Sequence, residues 1–112
     1  MAKVDERILG QVLNLQASID YQDGSVVSQT LVGKQTGTVT LFAFAKGEGL
    51  SEHTAPFDAM VYVIDGEVEI KISGKPHHLK TGEAIVMPGG DPHALQAITA
   101  FKMLLVMIKS KN

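Results

Sequence analysis

An all-β domain, built as a sandwich or barrel, is the fold class this sequence predicts, and three observations predict it. Short apolar runs recur at regular intervals between turn-forming clusters at residues 33–37, 73–76 and 88–92. Val68, Ile70 and Ile72 alternate strictly with Glu67, Glu69 and Lys71, the period-two pattern of a strand with one buried face. Helical periodicity is nearly absent, with a single candidate turn at residues 14–21, where Asn14 supplies a cap and Gly24 a stop.

The remaining elements follow in order. Residues 39–45 are apolar on both faces and read as a strand buried between layers. Residues 60–64 and 67–72 flank Asp65-Gly66, a dipeptide that predicts a type I′ hairpin turn. Residues 73–76 form a further turn, and residues 77–80 suit a short, partly exposed strand. Residues 84–87 read as buried. The prolines and glycines of residues 88–92 make a tight corner before His93, because proline lacks the donor a central strand needs. Residues 100–108 are apolar at nearly every position except Lys102, so both faces need cover. One face is expected in the core. Phe42, Phe44 and the C-terminal apolar residues either meet a second subunit or pack between two sheets.

With 112 residues the chain has the size of one domain, residues 1–112, in which 1–37 form an N-terminal extension of short strands and one helical turn. Hydrophobic residues make up 45% and charged residues 20%, a balance that folds rather than stays disordered. A net charge of −2 offers no basic surface for nucleic acid. No apolar run reaches membrane-spanning length and residues 1–10 carry no signal-peptide pattern, so a cytoplasmic protein without membrane contact is expected. There is no cysteine, so any metal must be held by His, Asp, Glu, Asn or Gln.

Two segments carry the chemistry. GEGLSEHTAPFDAMVYVIDG, residues 47–66, and GEAIVMPGGDPHALQA, residues 82–97, resemble in order the paired motifs of the cupins. Gly47, His53 and Gly66 fall on the first motif; Gly82, Pro88, Gly90 and His93 fall on the second. The resemblance implies a double-stranded β-helix, a jelly-roll-like barrel, with a site at its mouth. It is similar to the small stand-alone cupins, and the apolar C-terminal strand makes a homodimer the expected assembly.

Departures from the pattern bear on function. Ala55 stands where the family has its second histidine, Ala59 where it has glutamate and Ala97 where it often has asparagine. Two of the four usual ligands remain, whereas a transition metal normally takes at least three protein ligands. Asp58 has two roles open to it: a one-residue bulge turns it inward to complete a triad with His53 and His93, or regular alternation leaves it in water or capping a turn. The triad would suit a divalent Fe, Mn, Ni or Zn ion. Tyr62 and Gln96 are candidate hydrogen-bonding groups for a bound molecule. Glu52 has the wrong parity relative to His53, and adjacent His77 and His78 point to opposite strand faces. Met60, Met87, Met103 and Met107 fill a core or ligand cavity.

Three functions compete on these residues. One is a binding module with a small-molecule ligand held by His53 and His93, requiring no cofactor. A second is an enzyme, either a metal-dependent dioxygenase- or isomerase-like one using His53, His93 and Asp58, or a metal-free one with histidine oriented by Asp58 or Glu48. The third is a sensory or structural barrel without catalysis.

Overall fold

Ten strands pair into two facing sheets in the structure, a computed structural model that describes residues 3–4 and 6–109, with side chains from residue 7 onward. The strands are β1 (Lys3–Val4), β2 (Val26–Lys34), β3 (Gly37–Phe44), β4 (Gly49–His53), β5 (Ala59–Asp65), β6 (Glu67–Ile72), β7 (Lys75–Lys80), β8 (Ala84–Met87), β9 (His93–Ala97) and β10 (Phe101–Ile108). One sheet has the order β1-β2-β3-β10-β5-β8 and the other β4-β9-β6-β7. A short 3-10 turn at Glu6–Ile8 is the one helical element among the described residues, and no helix there is long and apolar enough to cross a membrane.

Alternation works as the sequence predicts in β6, where Val68 and Ile70 are fully buried. They meet Leu79, Leu95 and Ala97 of their own sheet and Phe44, Val61, Val63, Phe101 and Met103 of the other. Each large apolar side chain removed from water in this way contributes about 1.5–3 kcal/mol. Phe44 and Phe101 stack at the centre with ring centroids 4.6 Å apart, and Phe42 packs beside them. Phe42 and Phe44 therefore belong to the two-sheet core.

The first half of the other face of β10, at Lys102 and Leu104, is covered by the chain's own N-terminal segment, whereas Ile108 is left exposed. Ile8, Leu15 and Ile19 pack over Leu31, Leu41, Ala43, Ile64 and Leu104. Residues 14–21 form turns rather than a helix, with the Asn14 Oδ1 accepting from Ala17 N at 3.3 Å as a cap does. The segment is clasped at three points. Gln16 Nε2 donates to the Ile64 carbonyl at 3.2 Å, and Lys102 Nζ, on a buried side chain, donates to the Gln16 carbonyl. Tyr21 donates its hydroxyl proton to Asp65 Oδ2 at 2.6 Å while its ring lies under the Lys102 ammonium at 4.9 Å. Burial first, then the bond to Asp65 and its negative charge, raises the Tyr21 pKa and keeps the phenol protonated.

Three local expectations change. Asp65-Gly66 is not a hairpin turn: β5 pairs with β10 and β8, whereas β6 pairs with β7 and β9, so Gly66 is the corner at which the chain changes sheets. Its φ of +84° and a position where any Cβ would lie 2.1 Å from the Ala100 carbonyl explain the glycine. The type I′ hairpin joins β6 to β7 instead, through Ser73 (φ 51°) and Gly74 (φ 80°). Residues 84–87 form an edge strand, with Ala84 and Val86 exposed and Met87 alone buried. Within the N-terminal extension, β2 is a nine-residue strand integral to the larger sheet.

Candidate functional site

His53 ends β4, His93 begins β9, and the two are direct cross-strand partners. Leu50 and His53 are three residues apart, so regular alternation would send them to opposite faces. The pairing of β4 with β9 shifts between these two residues, and the irregularity lets both line the barrel mouth. His93 is delivered by the corner of residues 88–92, which is tied down from two sides. Gly90 N donates to the Ala55 carbonyl at 2.8 Å, and Gly89 N donates to Asp58 Oδ1 at 2.8 Å.

The imidazoles meet edge to face, with ring centroids 4.3 Å apart and Nε2 to Nε2 at 3.1 Å. Each Nδ1 lies against a backbone carbonyl, His53 against Ser51 O at 2.8 Å and His93 against Asp91 O at 3.4 Å. A carbonyl only accepts, so each Nδ1 carries the proton and each Nε2 presents a lone pair to the other. Two lone pairs at this separation call for a proton, a donor group or a cation between them. Burial, and after it the charge of His53, lowers the His93 pKa, with the Asp91 carbonyl acting weakly in the opposite direction.

A cavity of about 130 Å³ opens behind the pair. Ala55, Ala59, Leu50, Leu95 and Leu105 line it together with Met87, Met103 and Met107, and the imidazoles are the only nitrogen- or oxygen-bearing side chains among the described lining residues. Ala55 and Ala59, the positions of two missing ligands, thus form its wall. Ala97 sits apart in the core. A larger concavity, about 580 Å³, lies where Glu69, Lys71 and Gln96 line the smaller sheet away from the histidines.

The other expected site residues are not brought to the pair. Asp58 is exposed and spends its carboxylate on Gly89 N; the pairing irregularity of β4 lies between Leu50 and His53 and does not reach it. Tyr62 is out of phase with inward-facing Val61 and Val63 and stands 38% exposed on the outside of the larger sheet. Gln96 is likewise out of phase with Leu95 and Ala97, and donates to the Gly47 carbonyl at 2.6 Å. Met60 points outward, whereas Met87, Met103 and Met107 reach the cavity as expected. His78 pairs with Glu67 at 2.7 Å on the surface.

A divalent ion of the expected kind can be tested against this donor set. Two nitrogens bound side by side to one ion at about 2.1 Å stand about 3.0–3.4 Å apart, so the pair itself has the spacing of two ligands. The rest does not fit. No third His, Asp or Glu joins them among the described residues, and no carboxylate is available to offset a double charge in an apolar cavity. Nor does a carboxylate orient either imidazole, since both Nδ1 atoms are held by carbonyls.

Comparison with known proteins agrees with this architecture. A family model described as Cupin domain matches residues 40–109. The structure superposes on a conserved protein of unknown function from Streptococcus pyogenes with a TM-score of 0.87 and 39% identity, over 92% of this chain and 90% of that one. A cupin 2 conserved barrel domain protein from Leptotrichia buccalis gives a TM-score of 0.84 and 44% identity, over 87% of this chain and 47% of that one. The tetracenomycin polyketide synthase protein TcmJ of Streptomyces glaucescens is 27% identical over 73 residues, 64% of this chain and 49% of that protein. Protein SchB of Streptomyces halstedii is 31% identical over 65 residues, 57% of this chain and 47% of that protein. The chain spans about half the length of the curated relatives it matches. With both motifs in order on two facing sheets, and a family model that covers most of its strands, the chain belongs to the cupin family.

Proposed function

We propose that this protein is a small-molecule-binding cupin whose barrel mouth takes a compact, mainly apolar ligand carrying one hydrogen-bonding group. The observation that carries this reading is the cavity of about 130 Å³ with an apolar wall and one polar feature, the facing Nε2 atoms of His53 and His93. A hydroxyl placed at the pair donates to one Nε2 and relieves the opposed lone pairs. Apolar cavities near 150 Å³ hold benzene, whereas drug-sized ligands occupy about 300–1,000 Å³, so one ring of a ligand enters here. The resemblance to the polyketide synthase protein TcmJ makes a polyketide-derived compound the first class to try, with a phenol as the simplest ring carrying one hydroxyl.

The test is titration of the ¹³C-methyl-methionine protein with phenol and 4-methylphenol. The expected result is shifts at Met87, Met103 and Met107 with none at Met60, lost in His93→Leu. Uniformly unshifted cavity methyls across simple phenols would overturn the reading.

We also propose that the protein is a homodimer. Met60, Tyr62 and Val86 are exposed on one face of the larger sheet, with Met60 directly opposite Val86 in register, beside the unpaired edge of β8. Apolar faces at sheet edges need cover, and a two-fold pairing of identical faces provides it.

A further inference from the structure

The dipeptide Asp-Gly occurs twice in the chain, at Asp23-Gly24 and Asp65-Gly66, and the fold treats the two pairs differently. The dipeptide is reactive because glycine has no side chain to shield its amide nitrogen from the preceding carboxylate. That nitrogen loses its proton and bonds to the aspartate side-chain carbon, while one carboxylate oxygen leaves as water with that proton and a second from solvent. The five-membered succinimide then takes up water at one of its two carbonyls. Opening at the side-chain carbonyl restores aspartate. Opening at the main-chain carbonyl leaves isoaspartate, in which the chain runs through the side chain and is one methylene longer.

Asp65-Gly66 is tied at both reacting groups. Tyr21 donates to Asp65 Oδ2 at 2.6 Å, and the Gly66 amide donates to Thr81 Oγ1 at 3.0 Å. The Ala100 carbonyl and Phe101 crowd Gly66 as well, which opposes the rotation that ring closure needs. Asp23-Gly24 instead lies in an exposed turn ahead of β2, with nothing within 4 Å of a Cβ built on Gly24. Among the described residues the Asp23 carboxylate accepts no hydrogen bond and the Gly24 amide donates none.

Both ends of that turn are fixed. Tyr21, two positions before Asp23, clasps Asp65 and lies under the Lys102 ammonium. Ser25, two positions after, donates its amide to the Gln22 carbonyl at 3.1 Å and accepts from Ala45 N at 3.0 Å, where β2 begins to pair with β3. An extra methylene between residues 23 and 24 changes the length of a path whose ends are held, so the clasp or the start of the ladder must give.

We infer that Asp23-Gly24 is a site of spontaneous aspartate-to-isoaspartate conversion, that the fold protects Asp65-Gly66 from the same reaction, and that conversion at Asp23 loosens the N-terminal segment from the larger sheet. The reaction requires only water and this chain, and is independent of the barrel mouth.

The test keeps full-length protein for several weeks in neutral buffer at physiological temperature and reads isoaspartate at each position by electron-transfer fragmentation of its peptides. Native protein is expected to convert Asp23 at least about tenfold faster than Asp65, the factor imposed by two hydrogen bonds that must first break. In denaturing urea, where neither pair is held, the two rates should converge. Equal conversion of both in native protein, no conversion of Asp23, or a contrast that persists in urea would each overturn the assignment. The aged protein should also unfold at lower urea than fresh protein, whereas Asp23→Glu, whose longer side chain would have to close a less favoured six-membered ring, should keep its midpoint through the same incubation. A midpoint unmoved in aged protein that has converted at Asp23 would overturn the loosening.

Discussion

The Asp58 carboxylate accepts a 2.8 Å hydrogen bond from the Gly89 amide, so a residue at the foot of β5 holds the corner that sets His93 in place. Asp58→Ala is expected to lower stability by about 1 kcal/mol, the usual worth of such a bond. Urea denaturation measures this. Ligand affinity should change far less than in His93→Ala; an equal loss in both variants would return Asp58 to the site.

Gly66 and Gly74 both have positive φ, but only Gly66 is enclosed, with the Ala100 carbonyl 2.1 Å from any added Cβ and open space around Gly74. Gly74→Ala should cost about 1 kcal/mol for its backbone alone. Gly66→Ala adds a steric clash at the corner between sheets and should exceed about 3 kcal/mol. Denaturation midpoints of the two variants, or loss of soluble protein for Gly66→Ala, check the contrast.

Stability should fall in mild acid because of His93. Its folded-state pKa lies below the ordinary 6.5, so on acidification the unfolded chain takes up this proton first. The contribution is fully present above about pH 6.5 and declines as pH drops through that value toward the lower folded one. Urea midpoints between pH 8 and pH 5, on the order of those limits for a histidine, should slope less steeply in His93→Gln than in the parent chain.

Val86, 59% exposed opposite Met60, offers the simplest probe of subunit association. Val86→Lys should convert a dimer to a monomer in sedimentation velocity without changing the denaturation midpoint extrapolated to low protein concentration. A parent chain that sediments as a monomer would remove the proposed interface.

Much of the barrel is legible in local pattern, as β6 and the corner before His93 illustrate, because alternation and turn chemistry act over a few residues. What escapes is set at long range. Asp65-Gly66 supports a positive φ equally well in a hairpin and in a corner between sheets, and the choice is made by contact with Ala100 and Phe101, more than thirty positions away. The irregular pairing between Leu50 and His53 is invisible to a period of two, yet it decides what lines the mouth. Tyr62 and Gln96 were within reach of the same alternation that sets Glu52 aside, since each is out of phase with its buried neighbours. The convergence of Met87 and Met107 on Ala59 depends on strand order, which no local pattern encodes.

Strand order also governs when the protein can fold as it is made. β10, the last of the described strands, lies in the middle of the larger sheet between β3 and β5. Until it has left the ribosome, those two strands have no common partner, and the pairs that can form from consecutive strands are β1–β2, β2–β3 and β6–β7. The larger sheet therefore closes only once β10 is available, through its most distant pairings, which slows folding and leaves any variant lacking β10 unable to complete the sheet.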